Sequence, residues 1–298
     1  MNEKIKNMSL NKNVHKTLEI VEKRGYNLTI EKLSKNLLGG AIERELLLQK
    51  IKNFKNIDFD GEFIATKGNL NIRKCKKRKS TNDQLQNIFL KVANQFTADY
   101  IKICPWTLCI MIAGSMATGG LSEDDDIDLD IVVQDNSKYL SYLLAILLGL
   151  KYSIKYRKQF KSQYFNFLTK VICISVIWEE HQVIPFTRKD EQIAFELLNA
   201  KIIYNPSFFY KMINHNTWLK SYFPQIYKKN QHLQNKNNDL FIINGKKISS
   251  RTTEYLARLT MVILFKLVRF TRLKNHKLRE RMDLVEKVKY PYGLFDIP

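Results

Sequence analysis

The sequence is poor in cysteine. Its four cysteines, Cys75, Cys104, Cys109 and Cys173, form no Cys-x-x-Cys pair, and no histidine stands at zinc-ligand spacing from them. This pattern excludes a structural zinc site of the usual kind. We therefore expect a protein of the reducing cytoplasm, in which these thiols stay free.

Long apolar segments are also lacking. The two most apolar stretches, residues 139–150 and 260–270, are too short to span a bilayer, and Lys266 and Arg269 interrupt the second. Both are typical of core helices. The polar N-terminus contains no apolar segment of the kind found in a signal peptide. We expect neither secretion nor a membrane partner.

Acidic residues are outnumbered, with 49 Lys and Arg against 29 Asp and Glu and a net charge of +20. Such a charge attracts nucleotides, nucleic acid and other polyanions. The sequence is also rich in Lys, Asn and Ile, and this compositional bias is an equally good explanation. With 298 residues, 45% of them hydrophobic, the chain can bury a core and form two or three domains.

The first 68 residues have the pattern of a winged-helix-like domain. Three short helical patterns are followed by the segment 57–65, in which Asp60-Gly61 predicts a tight hairpin turn. In such a domain the third helix, here 41–53, can contact a polyanion. The residues expected on that surface are Glu43, Arg44, Gln49, Lys50 and Lys52. A domain that only packs against other protein segments is the alternative.

Three further segments complete the predicted organisation. Residues 69–80 contain the basic run 73–79, which we interpret as a solvated linker that could also bind nucleic acid. Ser80 and Asp83 have the spacing of a capping box and predict a helix start. Residues 81–204 are expected to form an α/β core, and residues 205–298 a helical C-terminal region.

Six carboxylates fall within residues 121–130 of this basic chain. Side chains alternate along a strand, so Asp126, Asp128 and Asp130 are predicted to share one face. The apolar residues between them would then be buried and would hold that face rigid. Closely spaced carboxylates repel one another unless a cation lies between them, and oxygen ligands suit Mg²⁺ or Mn²⁺.

A glycine and a serine follow the preceding apolar strand. Residues 107–113 read as a buried strand that ends at Gly114-Ser115, and Gly119-Gly120 lies in the turn before the acidic block. Glycine lets backbone N–H groups approach a phosphate closely, and serine adds a hydroxyl. One strand would present phosphate ligands and its neighbour metal ligands, which is the arrangement that phosphoryl or nucleotidyl transfer requires.

Gly114-Ser115, Gly119 and the sequence Asp126-Ile127-Asp128 together resemble the signature of the DNA polymerase β-like nucleotidyltransferase superfamily. The resemblance implies an α/β (α+β) fold with a small mixed or antiparallel sheet. It also implies that Gly114 and Ser115 bind a nucleoside triphosphate and that Asp126 and Asp128 hold Mg²⁺ or Mn²⁺. The reaction implied is transfer of a nucleoside monophosphate to an acceptor hydroxyl, with release of pyrophosphate.

The resemblance also implies a third carboxylate on a later strand, and here the sequence departs from the pattern. Cys173 stands at that position in the strand 171–176. Asp130 and Glu179 are the two substitutes that strand alternation offers, and the sequence does not decide between them. We expect the catalytic set to be Asp126 and Asp128 with Asp130 or Glu179.

Two other functions stay open at this stage. The missing carboxylate is compatible with a winged-helix regulator, or a component like those of toxin–antitoxin systems, whose degenerate transferase domain senses nucleotide without turnover. The charge alone is compatible with a polyanion-binding protein that has no chemistry. The acceptor of any transfer, whether protein, nucleic acid, small molecule or nucleotide, cannot be read from the sequence.

Overall fold

A computed structural model describes residues 3–161, 163–165, 168–228 and 251–272. The N-terminal elements are α1 (Glu3–Glu22), β1 (Leu28–Thr29), α2 (Ile30–Lys35), α3 (Arg44–Ile51), β2 (Ile57–Phe59) and β3 (Phe63–Thr66). The sheet of these strands has the order β1-β3-β2, with antiparallel pairing throughout. The three helices and the hairpin expected from the sequence are therefore present, and a short strand β1 joins them.

Local hydrogen bonds explain where these elements begin and turn. The Thr29 hydroxyl accepts a hydrogen bond from the backbone N of Lys32 and caps α2. The Asp60 carboxylate accepts hydrogen bonds from the backbone N of Glu62 and of Phe63, which holds the β2–β3 turn. Gly61 in that turn has a φ of 103°, a value that glycine adopts readily.

The next element is the long helix α4 (Ile72–Ile103), and it corrects the sequence interpretation. The predicted linker at 69–80 is largely helical, and the helix begins eight residues before the expected start at Ser80. Two causes are visible: Asn71 caps the first turn by accepting a hydrogen bond from the backbone N of Lys74, and lysine and arginine favour helix. Cys75 and Thr81 are buried, so even this basic segment has an inward face.

The elements that follow are β4 (Thr107–Ile112), α5 (Gly114–Thr118), β5 (Ile127–Val133), α6 (Lys138–Lys155), β6 (Gln163–Phe165), β7 (Leu168–Thr169), β8 (Ile172–Glu179), α7 (Glu180–Val183), α8 (Glu191–Asn199) and β9 (Lys201–Tyr204). Four of the strands form a second sheet with the order β8-β5-β4-β9, and β6 pairs with β7. Strand β4 is antiparallel to β5 and β9, and β5 is parallel to β8. The expectation of a mixed α and β fold is confirmed, and this sheet is a mixed one.

The two faces of this sheet pack into different hydrophobic cores. On β5 the odd-numbered residues Ile127 to Val133 are buried together with side chains of α4 and α6. Val132 faces the other way and packs with side chains of α1, α2 and α8. Strand alternation therefore turns the even-numbered face of β5, which carries the carboxylates, toward the N-terminal elements.

The C-terminal part adds three described helices, α9 (Pro206–His215), α10 (Leu219–Tyr222) and α11 (Arg251–Arg272). They are the described part of the helical C-terminal region expected at 205–298. Residues 229–250 and 273–298 lie outside the described residues. Among the helices in the described ranges, none is both long enough and apolar enough to cross a membrane.

Candidate functional site

Gly114 stands at the point where β4 ends and α5 begins. Its φ is 62°, and a Cβ added there would lie 2.2 Å from the Oδ2 atom of Asp128. The backbone N of the preceding Ala113 donates to the carbonyl of Asp128 at 3.0 Å, so the two strands stay paired up to this point. Glycine is therefore required by both conformation and space, because any side chain would meet the carboxylate.

Asp126 and Asp128 come together with Cys173. Each of the three residues offers one possible ligand atom, and these atoms all lie within 4.8 Å of one another. Asp128 and Cys173 are direct neighbours in the parallel pairing of β5 and β8. Ser175, two residues further along β8, donates its hydroxyl to Asp128 Oδ1 at 3.2 Å. The structure thus brings together the predicted carboxylate pair and the thiol that stands in place of a third carboxylate.

Lys170, just before β8, supplies the positive charge at this cluster. Its ammonium forms an ion pair with Asp126, and both side chains are mostly buried. Burial by itself lowers the pKa of Lys170, but Cys173 and Asp126 outweigh this effect and raise it above its ordinary value. For the Cys173 thiol, burial raises the pKa, so the neutral form of the thiol is favoured. The cluster holds one ammonium where the sequence suggested only divalent ions.

The Asp128 carboxyl is perturbed more than an ordinary aspartate. Burial raises its pKa to about 6, the charge of Asp126 adds to this effect, and Lys170 opposes it. Two carboxylates this close repel each other when both are charged, unless a cation lies beside them. The Oδ2 atom of Asp126 is buried, and the Lys170 ammonium that pairs with it is its main compensation.

Asp130 lies on the same face of β5, as predicted, but deeper. It is 3% exposed, and its Oδ1 atom has no hydrogen-bond partner among the described residues. Burial, followed by the charges of Glu196 and Asp128, raises the pKa of Asp130 well above its ordinary value. While no cation is bound nearby, Asp130 therefore favours its neutral form at the deep end of the site.

Glu179, the other predicted substitute, does not reach this cluster. It pairs with Val133 at the far end of β5, five register positions beyond Asp128, which corresponds to about 16 Å along the strand. Its carboxylate instead accepts hydrogen bonds from the backbone N of Asn136 and Ser137, and it caps α7. This position does not support the assignment of Glu179 to the site, because Glu179 lies at the far end of the strand from Asp126 and Asp128.

The carboxylate cluster lines a cavity of about 350 Å³ between the second sheet and the N-terminal elements. Gly114 and Ser115 form part of its wall, together with three residues that the sequence interpretation did not single out: Arg24, Tyr26 and Glu196. Arg24 Nη2 lies 2.8 Å from Glu196 Oε1. No local pattern distinguishes this arginine and this glutamate from the many others, because their meeting depends on how α1 and α8 pack.

Comparisons with protein-family models, with curated proteins and with solved structures each find no match to this chain. The function has to be argued from the geometry and chemistry of the site.

Proposed function

We propose that the protein is a metal-dependent nucleotidyltransferase of the DNA polymerase β-like kind. In the reaction, an acceptor hydroxyl oxygen bonds to the α-phosphorus of a nucleoside triphosphate. The bond from that phosphorus to the oxygen bridging it to the β-phosphorus breaks, and pyrophosphate leaves with that electron pair. The hydroxyl proton passes to a base at the site or to water.

One observation carries this proposal: the fit between Gly114 and Asp128. The end of β4 comes so close to the carboxylate pair on β5 that a Cβ at Gly114 would lie 2.2 Å from Asp128 Oδ2. A phosphate held by the backbone N–H groups and the hydroxyl of Gly114 and Ser115 would therefore lie directly beside Asp126 and Asp128. That juxtaposition is what transfer between phosphate oxygens needs.

Asp126 and Asp128 would hold Mg²⁺ or Mn²⁺ through their carboxylate oxygens. A metal ion at the buried Oδ2 of Asp126 would take the place of the Lys170 ammonium, which pairs with that atom. Cys173 does not suit Mg²⁺, which prefers oxygen and commonly keeps water in its shell. Bound divalent ions would supply charge neutralisation to the phosphates and would activate the hydroxyl.

The chain's own side chains have distinct tasks under this proposal. Asp126 and Asp128 hold the metal, Ser175 orients Asp128 through its hydrogen bond at 3.2 Å, and Ser115 binds phosphate. Lys170 holds Asp126 in place when no metal is bound, and it can turn toward the triphosphate when metal replaces it. Arg24, on the opposite wall of the cavity, is the second cation within reach of a phosphate.

The N-terminal region supports the winged-helix interpretation. The element order α1-β1-α2-α3-β2-β3 and the sheet order β1-β3-β2 are compatible with that domain type. The apolar side chains Leu47 and Ile51 of α3 are buried, which leaves its charged residues on the outside. This part of the proposal adds a nucleic-acid-binding role to the transferase.

The test is incubation with each labelled nucleoside triphosphate and Mg²⁺ or Mn²⁺, followed by detection of pyrophosphate and labelled acceptor. Changing both Asp126→Asn and Asp128→Asn is expected to abolish product formation. The matched control is Glu123→Gln with Asp124→Asn, because these residues lie in the same acidic block but outside the cavity. Product that survives the first pair of changes, or is lost equally in the control, contradicts the assignment.

A second candidate function is nucleotide sensing without turnover. Cys173 at the position of a third carboxylate and the Lys170–Asp126 ion pair both favour it, because the described cluster has two carboxylates, a thiol and an ammonium in place of three carboxylates. In that case a nucleoside triphosphate raises the melting temperature without being consumed, and Ser115→Ala reduces the shift. Release of pyrophosphate at a rate that depends on Asp126 decides for the transferase.

A further inference from the structure

A second and larger cavity, of about 660 Å³, lies next to the carboxylate site. One wall is formed by β1 and α2, the opposite wall by the first four turns of α4, and the floor by residues 117–120 and Lys201. We call it the α2–α4 cleft. Tyr26 lines both this cleft and the cavity of Asp126 and Asp128, so the two spaces adjoin.

The α2–α4 cleft is strongly cationic. Among the described residues, seven lysines and arginines line it against three carboxylates. Six of the seven are Lys32, Lys35, Lys74, Arg78, Lys79 and Lys201. Lys35 and Lys79 form ion pairs at the mouth, with Glu31 and Glu62. The cleft keeps an excess of positive charge after these pairs are counted.

The two lysines at the floor are the most informative. Lys32 and Lys201 are half-buried, and neither lies within 4 Å of a carboxylate oxygen in the described part of the chain. The ammonium of Lys32 donates to the carbonyl of Thr118 at 2.9 Å. Burial lowers the pKa of Lys32, an effect that the charges of Asp83 and Glu31 partly oppose, and burial together with the charge of Lys32 lowers the pKa of Lys201. An anion bound beside these two ammonium groups would stabilise their charged forms.

The shape of the floor keeps these charges accessible from the cleft. A Cβ at Gly119 would lie 2.0 Å from the Lys32 ammonium, and a Cβ at Gly120 would lie 3.0 Å from the Tyr26 ring. The two glycines therefore allow the lysine and the tyrosine to lie against the turn that links α5 to β5. Few aromatic side chains line the cleft, so stacking of bases is a minor part of any recognition there.

We propose that the α2–α4 cleft binds the phosphodiester backbone of a single-stranded nucleic acid. Resting on the proposed function, we further infer that the end of this strand is the acceptor at Asp126 and Asp128. The volume of about 660 Å³ is within the range of pockets that enclose ligands of drug size, which fits a few nucleotides and not a duplex. Contacts to phosphate give binding that depends little on sequence and strongly on salt.

The first experiment measures binding of a fluorescent single strand of about 12 nucleotides by anisotropy, as RNA and as DNA. The full-length protein is used with EDTA and without nucleotide, so that the carboxylate site does not contribute. The cleft variant is Lys74→Gln with Lys79→Gln. The matched control is Lys91→Gln with Lys102→Gln, which changes the charge equally at exposed positions of the same helix outside the cleft.

We expect the cleft variant to raise Kd about tenfold and the control to change it less than about twofold. The slope of log K against log salt should fall in magnitude by about 1.4 in the cleft variant, since two phosphate contacts to a single strand are lost. Lys201→Gln, at the floor of the cleft, is an independent variant that should also raise Kd for the strand. Equal weakening in the control, or displacement of the strand by inorganic triphosphate at the same phosphate concentration, would overturn the proposed cleft.

The second experiment separates the cleft from the chemistry. If the strand end is the acceptor, addition of nucleoside triphosphate and metal lengthens the labelled strand. The cleft variant should then have a higher KM for the strand and an unchanged KM for the nucleoside triphosphate. A strand that binds in the cleft but is not lengthened, while triphosphate is consumed, overturns the acceptor assignment. Cleft-dependent binding in a protein that neither binds nor consumes nucleotide refutes the proposed function and leaves the cleft in place.

Discussion

At the scale of single residues, Gly114 gives the sharpest prediction. Gly114→Ala places a methyl group 2.2 Å from Asp128 Oδ2 and forces alanine into a φ of 62°. We expect a loss of about 2 kcal/mol or more in the free energy of unfolding, from backbone strain and displacement of the carboxylate. Urea denaturation measures the loss.

The control for this change is Gly149→Ala in α6, where a Cβ meets no atom within 4 Å. Replacing a helical glycine by alanine in open space should stabilise the protein by about 0.5 to 1 kcal/mol. We expect the change in unfolding free energy to have opposite signs in the two variants. A Gly114→Ala protein as stable as the wild type would show that β4 and Asp128 are not this close.

The second prediction at this scale concerns pH. In the metal-free protein Asp128 has a pKa of about 6, raised from 3.8. Between these two values the folded protein holds a proton that the unfolded chain has released, so its contribution to stability is present below about pH 4 and lost as the pH rises through about 6. Asp128→Asn keeps the side chain neutral and should stabilise the protein above pH 6 by up to about 3 kcal/mol.

Denaturation at pH 4, 6 and 8 in EDTA measures this difference. Asp124→Asn removes the same charge from an exposed residue of the same acidic block and should show no such pH dependence. The gain for Asp128→Asn should shrink when Mn²⁺ is added, because the metal binds only the wild-type carboxylate. A stability difference that is constant across this pH range would contradict the raised pKa of Asp128.

At the residue scale, the sequence predicts the parts of the site that lie on one strand or one turn. Alternation correctly places Asp126, Asp128 and Asp130 on one face, because the period of a strand is fixed. It says nothing about Lys170, Arg24 or Glu196, whose positions depend on packing between distant segments. It also could not separate Glu179 from the site, since alternation gives the face but not the distance along the strand.

At the scale of helices and strands, one carboxylate of α11 caps the N-terminus of α6. Glu254 accepts hydrogen bonds from the backbone N of Tyr139 at 2.7 Å and of Leu140 at 2.9 Å. These N–H groups belong to the first turn of α6, which has no helical partner for them. A side chain of one helix therefore satisfies the N-terminus of another, where negative charge is also favoured.

Glu254→Ala leaves those N–H groups without their partner and should cost about 1 to 3 kcal/mol of unfolding free energy, measured by urea denaturation. Glu254→Gln retains one acceptor oxygen without the charge and should cost less. Faster amide exchange of Tyr139 and Leu140 in the alanine variant would localise the effect. Equal stability of all three proteins would contradict this capping role.

The elements themselves are largely predictable, with one instructive exception. The strands β4 and β5 and the helix α6 follow clear apolar patterns, and the structure has them near their expected positions. The start of α4 was missed because seven charged or thiol residues in a row show no apolar period. Helix propensity and the Asn71 cap are weaker signals, yet here they decide the outcome.

At the scale of the whole molecule, the N-terminal elements and the second sheet share one hydrophobic core. Polar contacts cross the same boundary: Arg24 pairs with Glu196 at 2.8 Å, and the Asn36 amide donates to Asn199 at 2.8 Å. The division at residue 68, made from sequence, marks a change of pattern. It does not reveal this packing, because the pairing of distant apolar faces is not encoded in local periodicity.

This shared core predicts cooperative unfolding. Leu33 of α2 is fully buried, so Leu33→Ala should cost about 3 kcal/mol through lost packing and a cavity. All three tryptophans, Trp106, Trp178 and Trp218, lie beyond the N-terminal elements. If the core is one unit, the change in α2 lowers the urea midpoint seen by tryptophan fluorescence as much as that seen by far-UV circular dichroism. If the N-terminal elements unfold separately, the fluorescence midpoint stays at its wild-type urea concentration, while part of the dichroism signal is lost at lower urea.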